Sequence, residues 1–205
     1  MRLIIKDDVL LLIPENTSDQ LQFKNWSKDL DSHIFSLNLQ ENGTLEFHHL
    51  GKREEASRIN IIYSSGDEQI QLISNLGHTP FEMDGRTYAS VEGFWQGLKT
   101  EEEAVRQKVA AMSGKKAKMY GNQFAQGHTF CYEGETFRTG TWEHWGLMER
   151  ACMAKFEQCE MARKALLKTG NRLLVHLTRV SSKTIPNPLM ADIWMRIRKE
   201  LGVDV

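Results

Sequence analysis

Little in this sequence points away from an ordinary folded domain. Four prolines in 205 residues, and no stretch rich in proline, glycine or serine, leave nothing that reads as a linker or a low-complexity tract. Three cysteines, Cys131, Cys152 and Cys159, form an odd set with no C-x-x-C pair and no zinc-type histidine spacing, which argues against both a disulfide framework and a metal site. Twenty-six Lys+Arg against 27 Asp+Glu leave a net charge of −1, so no bulk field draws the chain to nucleic acid or to an anionic membrane. No apolar run approaches the ~18 residues of a membrane span. Lys6, Asp7 and Asp8 interrupt the apolar opening segment, so a secretory layout is not expected and a cytoplasmic location is.

What is present suits a buried core: 40% hydrophobic residues with 26% charged is the balance of a soluble globular fold. Residues 1–70 read as β. Short apolar runs occur at Leu3 to Lys6, Val9 to Ile13, His33 to Leu39, Thr44 to His49 and Ile59 to Tyr63, and Asn42-Gly43 is a hairpin cue because both central positions of the favoured turn need positive φ. His48 and His49 are adjacent on a strand and so face opposite ways, which does not make a convergent metal site.

From Ser90 onward helical spacing dominates. Thr100 to Glu103 reads as a capping box for a helix reaching Met112 and stopped by Gly114. A helix from Trp142 to Phe156 presents positions 145, 148, 152 and 156 to the core, with Cys152 as a small buried hydrophobe. A shorter helix ends at Gly170, Leu173 to Leu177 reads as a strand, and Asn187-Pro188 opens a final helix as N-cap and first-turn proline. Lys115, Lys116 and Lys118 read as a solvated face. The expected class is α+β, mainly helical, with a β-rich extension over 1–70 on a domain spanning 71–205.

The richest stretch is Ser74 to Lys99. Asp84-Gly85 makes a tight turn, and a helix opens with Ser90 as N-cap. Glu92, Gln96 and Lys99 then share a face, being four and seven residues apart, while Phe94, Trp95 and Leu98 are set on the other side. Glu92 in the first turn is favoured by the helix dipole, and this alone would account for it. Gly93 and Gly97 are costly inside a helix, at roughly 1 kcal/mol each, and imply the close approach of another backbone or a ligand.

Ser74-Asn75-Leu76, Pro80-Phe81, Asp84-Gly85, Tyr88, Ser90, Glu92, Gln96 and Lys99 together resemble the signature of the NADAR superfamily, S-N-F, then D-G, then S-E-H-Y-x-Q-x-x-K. The resemblance continues through Lys116-Ala117-Lys118, through the segment Met148 to Gly170, and into a final helix carrying Leu189, Met195 and Arg198. It covers roughly Leu72 to Leu201. Position 93 is Gly where the family has His, the segment HLTRVSSKTIP before Asn187 lacks the family's Y-W-G-x-G motif, and His128 to Trp142 is an extra piece able to supply replacement groups.

The resemblance implies hydrolysis of an N-glycosidic bond of a ribosyl group, on phosphorylated riboflavin-pathway intermediates or on ADP-ribosylated guanine. Such a bond breaks with positive charge developing on the ribose, which calls for a carboxylate near the anomeric carbon and an oriented water. Glu92 and Lys99 are the candidate catalytic groups, with Asn75, Gln96 and Trp142 as substrate-binding residues and Asp84 as a turn residue. No metal or other cofactor is expected. The partner is a small nucleotide or ADP-ribosyl molecule, with ADP-ribosylated nucleic acid an extension of that class. The alternatives are a non-catalytic ADP-ribose or NAD-type binding module, favoured by the missing Trp-Gly motif, and a purely structural domain in which Glu92 only caps its helix.

Overall fold

A computed structural model describes residues 2–6, 9–13, 15–26, 33–39, 45–52, 58–178, 182 and 184–202, with side chains described at 15–22 and from 58 onward. The Asn42-Gly43 turn and the side chains of His48 and His49 lie outside the described residues. The element order is β1 (Arg2–Lys6), β2 (Val9–Ile13), α1 (Thr17–Trp26), β3 (His33–Leu39), β4 (Leu45–Lys52), β5 (Ile59–Asn60), a 3-10 turn (Tyr63–Ser65), α2 (Glu68–Ile73), β6 (Phe81–Met83), β7 (Arg86–Tyr88), α3 (Val91–Gly97), α4 (Glu103–Ala110), α5 (Gly114–Gly121), β8 (Thr129–Tyr132), β9 (Glu135–Arg138), α6 (Trp142–Gln158), α7 (Glu160–Leu167), β10 (Leu174–Val175) and α8 (Asn187–Leu201). The fold is α+β and mainly helical.

The strands pair in twos: β1 with β2, β3 with β4, β6 with β7 and β8 with β9 are antiparallel, whereas β5 lies parallel to β10. That parallel pair, in register Leu174↔Ile59, fastens the segment around residue 60 to the helical body, and Ile61 is fully buried in the core. The sequence reading of residues 1–70 contains no helix, yet α1 forms there. Its start is encoded by Asn16, whose Oδ1 accepts from the Asp19 backbone N–H at 2.8 Å.

Every residue of α3 is buried, so this seven-residue helix is the axis on which the rest assembles. Ser90 caps it: its Oγ accepts from Gly93 N–H at 2.9 Å and donates to the Met112 carbonyl at 2.9 Å, which joins the helix start to the end of α4. Gly93 is required by that junction. A Cβ there would sit 2.8 Å from both the Met112 and Val109 carbonyl oxygens, so the backbone after α4 occupies the space a side chain would need. The histidine that the resembled motif carries has no room at this position.

Phe94 turns away from the cavity described below and meets Tyr88 and Tyr132 edge-on at 5.2 and 5.5 Å. Fully buried aromatics of this kind contribute about 1.5–3 kcal/mol each.

Some boundaries differ from the sequence reading for local reasons. Thr100 accepts from Glu102 N–H without opening the helix, and α4 begins two residues later than a capping box from Thr100 requires. Gly114, at φ +62°, opens α5 and does not close α4, which ends at Ala110. Pro186, not Asn187, is the N-cap of α8, so Pro188 stands at the second helical position. The Asp84-Gly85 turn forms as expected, with φ +50° and +73°, and joins β6 to β7. Among the described residues no helix is long and apolar enough to cross a membrane.

Candidate functional site

A cavity of about 1080 Å³ opens beside α3 and takes its walls from α3, α5, the loop after α2, the segment after β10, and α8. Asn75, Glu92, Gln96 and Lys99 all line it, so four of the five sequence-derived candidates converge on one space.

Glu92 is 8% exposed, and its backbone N–H donates to the Asn75 carbonyl at 2.8 Å, which ties the helix start to the Ser74–Leu76 loop. Burial pushes its carboxyl above the usual range, while the hydrogen bond from Gln96 and the charges of Lys118 and Lys99 pull the other way. Gln96 Nε2 donates to Glu92 Oε1 at 2.8 Å, as the four-residue spacing predicts. The Gln96 Oε1 atom is buried without a partner among the described residues. Lys99, just past the end of α3, is half-buried and donates to the Gly121 carbonyl at 3.3 Å; burial lowers its pKa, Glu92 raises it and Lys118 lowers it. Lys115 and Lys118, exposed on α5, complete a basic edge.

Asn75 is held by groups the sequence reading does not connect to it. Its Nδ2 faces the sulfurs of Met190 at 3.1 Å and Met148 at 3.4 Å, and its Oδ1 is 3.6 Å from the Cys152 thiol. Burial drives that thiol up to about 12, consistent with a small hydrophobe and not a nucleophile.

Beneath this loop lies Lys155, wholly buried, whose Nζ donates to the Ile73 and Ser74 carbonyls at 2.8 and 2.9 Å and sits 4.7 Å from the centre of the Phe156 ring. The ammonium thus satisfies the C-terminal carbonyls of α2 and fixes the loop that supplies Asn75. Burial lowers its pKa to about 7, against a weak opposite pull from Cys152 and Cys159. Its signal in the sequence is a lysine at the spacing of Cys152 and Phe156, on the apolar stripe of α6.

Trp142 stands elsewhere. It is 41% exposed, meets Trp145 edge-on at 4.9 Å, and does not line the cavity. The extra segment folds as the β8–β9 hairpin, whose Phe130 and Tyr132 pack into the core and whose Tyr132 hydroxyl donates to Asp84 at 2.8 Å. None of residues 128–142 lines the cavity.

Its aromatic walls come instead from Tyr63, Trp95, Phe124 and Trp194. Trp95, set behind the polar stripe in the sequence reading, belongs beside Glu92 because residues three apart share a helix face. Its ring stacks on His144 at 4.1 Å with 2° between planes, and its Nε1–H donates to Thr184 Oγ1 at 3.3 Å. His176 also lines the cavity and was likewise not singled out.

A second cavity of about 270 Å³ lies on the far side of α3, against Phe94 and Leu98. Its charged groups are already engaged: Arg86 grips Glu103 at 2.7 Å, and Arg106 donates to the Thr100 and Cys131 carbonyls. The larger cavity, with its buried carboxylate and basic edge, is the candidate site. Among the described residues no cluster of three or more His, Cys, Asp or Glu side chains is placed to hold a metal ion.

The family described as bacteriophage protein GP30.3 matches residues 69–187, which include α3 and most of the cavity wall. The solved NMR structure of the E. coli protein YbiA superposes with a TM-score of 0.51 at 24% identity, over 73% of this chain and 89% of that one, so the two share a fold. No curated protein matches the chain.

Proposed function

Since the chain belongs to the bacteriophage protein GP30.3 family and carries a buried carboxylate in the wall of a large cavity, we propose that it is an N-glycosidase acting on a ribosyl-containing, nucleotide-like substrate. The substrate class is ADP-ribosylated guanine or a phosphorylated riboflavin-pathway intermediate. The observation that carries this reading is Glu92, 8% exposed at the start of α3, facing a space of about 1080 Å³ edged by lysines.

In the reaction the anomeric C–N bond breaks with its electron pair leaving on the base nitrogen, which is protonated from solvent water. A water oxygen bonds to the anomeric carbon, and Glu92 receives the proton that water gives up and afterwards returns it to solvent. A carboxyl raised by burial is a better base near neutrality than an exposed one, and its negative charge stabilises the cationic ribose as it forms. Gln96 holds one carboxylate oxygen and so fixes its direction. Lys99, with Lys118 nearby, supplies positive charge for a phosphate. Asn75, immobilised from below by Lys155 through the Ser74 carbonyl, contacts the sugar.

One observation favours the alternative of a nucleotide-binding module: residues 176–186 carry no Trp-Gly motif, the motif that the resemblance to NADAR proteins leads one to expect before the last helix. The test is incubation of the purified chain with ADP-ribosylated guanosine and with phosphoribosylamino-type intermediates, followed by product analysis. Release of free base and ribosyl product supports the glycosidase. Ligand-induced thermal stabilisation without product supports the binding module.

A further inference from the structure

The wall formed by the end of β10 and by α8 carries two groups that the reaction above does not use. His176 Nδ1 lies 2.8 Å from the Ile61 carbonyl oxygen. A carbonyl only accepts, so Nδ1 bears the hydrogen, and in the neutral ring Nε2 keeps a lone pair. Burial, with a smaller push from Lys118 and against the pull of the Ile61 carbonyl, lowers the pKa of this ring and keeps it neutral.

Trp194 stands edge-on to it, with ring centres 5.3 Å apart and 88° between planes. It is 1% exposed, and its Nε1–H has no hydrogen-bond partner among the described residues. A buried donor left unmade costs about 1–3 kcal/mol, and such groups are retained where a ligand or a bound water completes them. Both residues line the cavity that contains Glu92.

We propose that the His176–Trp194 corner is the subsite for the departing base, in which Trp194 Nε1–H donates to a ring carbonyl or ring nitrogen and His176 Nε2 accepts from an N–H on the same heterocycle. The ligand class is a neutral nucleobase-like ring with an acceptor and a donor on one edge. A site built to make such bonds discriminates strongly against rings without them, because its own buried groups would stay unpaired. This assignment rests on the glycosidase reading, since it names which part of that substrate the corner holds.

The test measures calorimetric affinity of the full chain for guanosine, adenosine, cytidine and uridine 5′-monophosphates and for ribose 5-phosphate, which keeps sugar and phosphate but has no base. Trp194→Phe retains a ring and removes the donor, and His176→Asn retains a donor for the Ile61 carbonyl and removes Nε2. Each variant is expected to weaken the best-bound mononucleotide by about fivefold or more, equivalent to one hydrogen bond, and to leave ribose 5-phosphate within about twofold. Equal losses on both kinds of probe, unchanged mononucleotide affinity, or no mononucleotide binding by the parent chain would overturn the assignment. Should Trp194→Phe fail to fold, the His176→Asn result decides alone. Failure of the glycosidase reading registers separately, as absent product from ribosyl substrates, whatever pattern the mononucleotides give.

Discussion

Gln96 Nε2 donates to Glu92 Oε1 over 2.8 Å, and the same Gln96 side chain lies directly against the Cα of Gly121 at the end of α5. A Cβ on residue 121 would fall 2.1 Å from Gln96 Oε1 and 2.5 Å from Gln96 Cβ, too close to be relieved by moving the amide alone. Gly121→Ala is therefore expected to separate α3 from α5 and to destabilise the chain by about 1–3 kcal/mol despite alanine's better helix propensity. Chemical denaturation measures this, and a variant as stable as the parent would show that the helices are less tightly apposed.

Lys155 makes stability depend on pH. Its folded pKa is about 7 against an ordinary 10.5, so between these values the unfolded chain holds a proton that the folded chain has lost. Stability therefore rises with pH across that window, and below about 7 the full cost of burying the ammonium is present. Lys155→Met should flatten the rise between pH 7 and 9.5 in urea unfolding. Parallel curves for the two chains would contradict the lowered pKa of Lys155 in the folded chain.

His144 acts at the other end of the scale. Buried against Trp95, with Nδ1 accepting from the Gly140 N–H at 3.0 Å, it has a pKa lowered by burial to about 4. Between that value and the ordinary 6.5 the unfolded chain binds the extra proton, so stability increases as pH rises from 4 to 6.5 and is lost on acidification. His144→Phe is expected to lose less stability than the parent between pH 6.5 and 4.5, measured by thermal unfolding. An equal loss would place the acid sensitivity elsewhere.

Lys99→Ala should weaken phosphate-bearing ligands by about tenfold and leave unphosphorylated nucleosides within about twofold, because an ammonium acts on phosphate as a point charge. Calorimetry with a nucleoside and its 5′-phosphate separates the two. Equal losses would mean that Lys99 supports the cavity wall through its bond to the Gly121 carbonyl.

Much of the cavity wall could be read from spacing. Ser90 as N-cap and the Glu92 to Gln96 pair are local consequences of one helix, and local geometry is what a sequence displays, while Gly93 shows in the sequence only as a costly helical glycine whose cause, the Met112 and Val109 carbonyls, lies outside that helix. The strands at 2–6, 9–13 and 33–39 were legible for the same reason, through short apolar runs bounded by polar residues. What failed was long-range. Lys155 meets the Ile73 carbonyl 82 residues away, and His176 meets the Ile61 carbonyl 115 residues away, contacts that no periodicity encodes. Trp95 was misplaced by treating the third residue along a helix as opposite when it is adjacent. Trp142, expected to bind substrate, is exposed at the start of α6 and away from the cavity.

The central claim is that the Glu92 carboxylate performs the bond cleavage. Glu92→Gln keeps the shape and the hydrogen-bonding capacity of the side chain while removing its charge, so single-turnover hydrolysis of a ribosyl substrate by this variant is the most direct measurement. The expected result is a fall of about a hundredfold or more in rate with ligand affinity largely retained. Hydrolysis at the parent rate would contradict it.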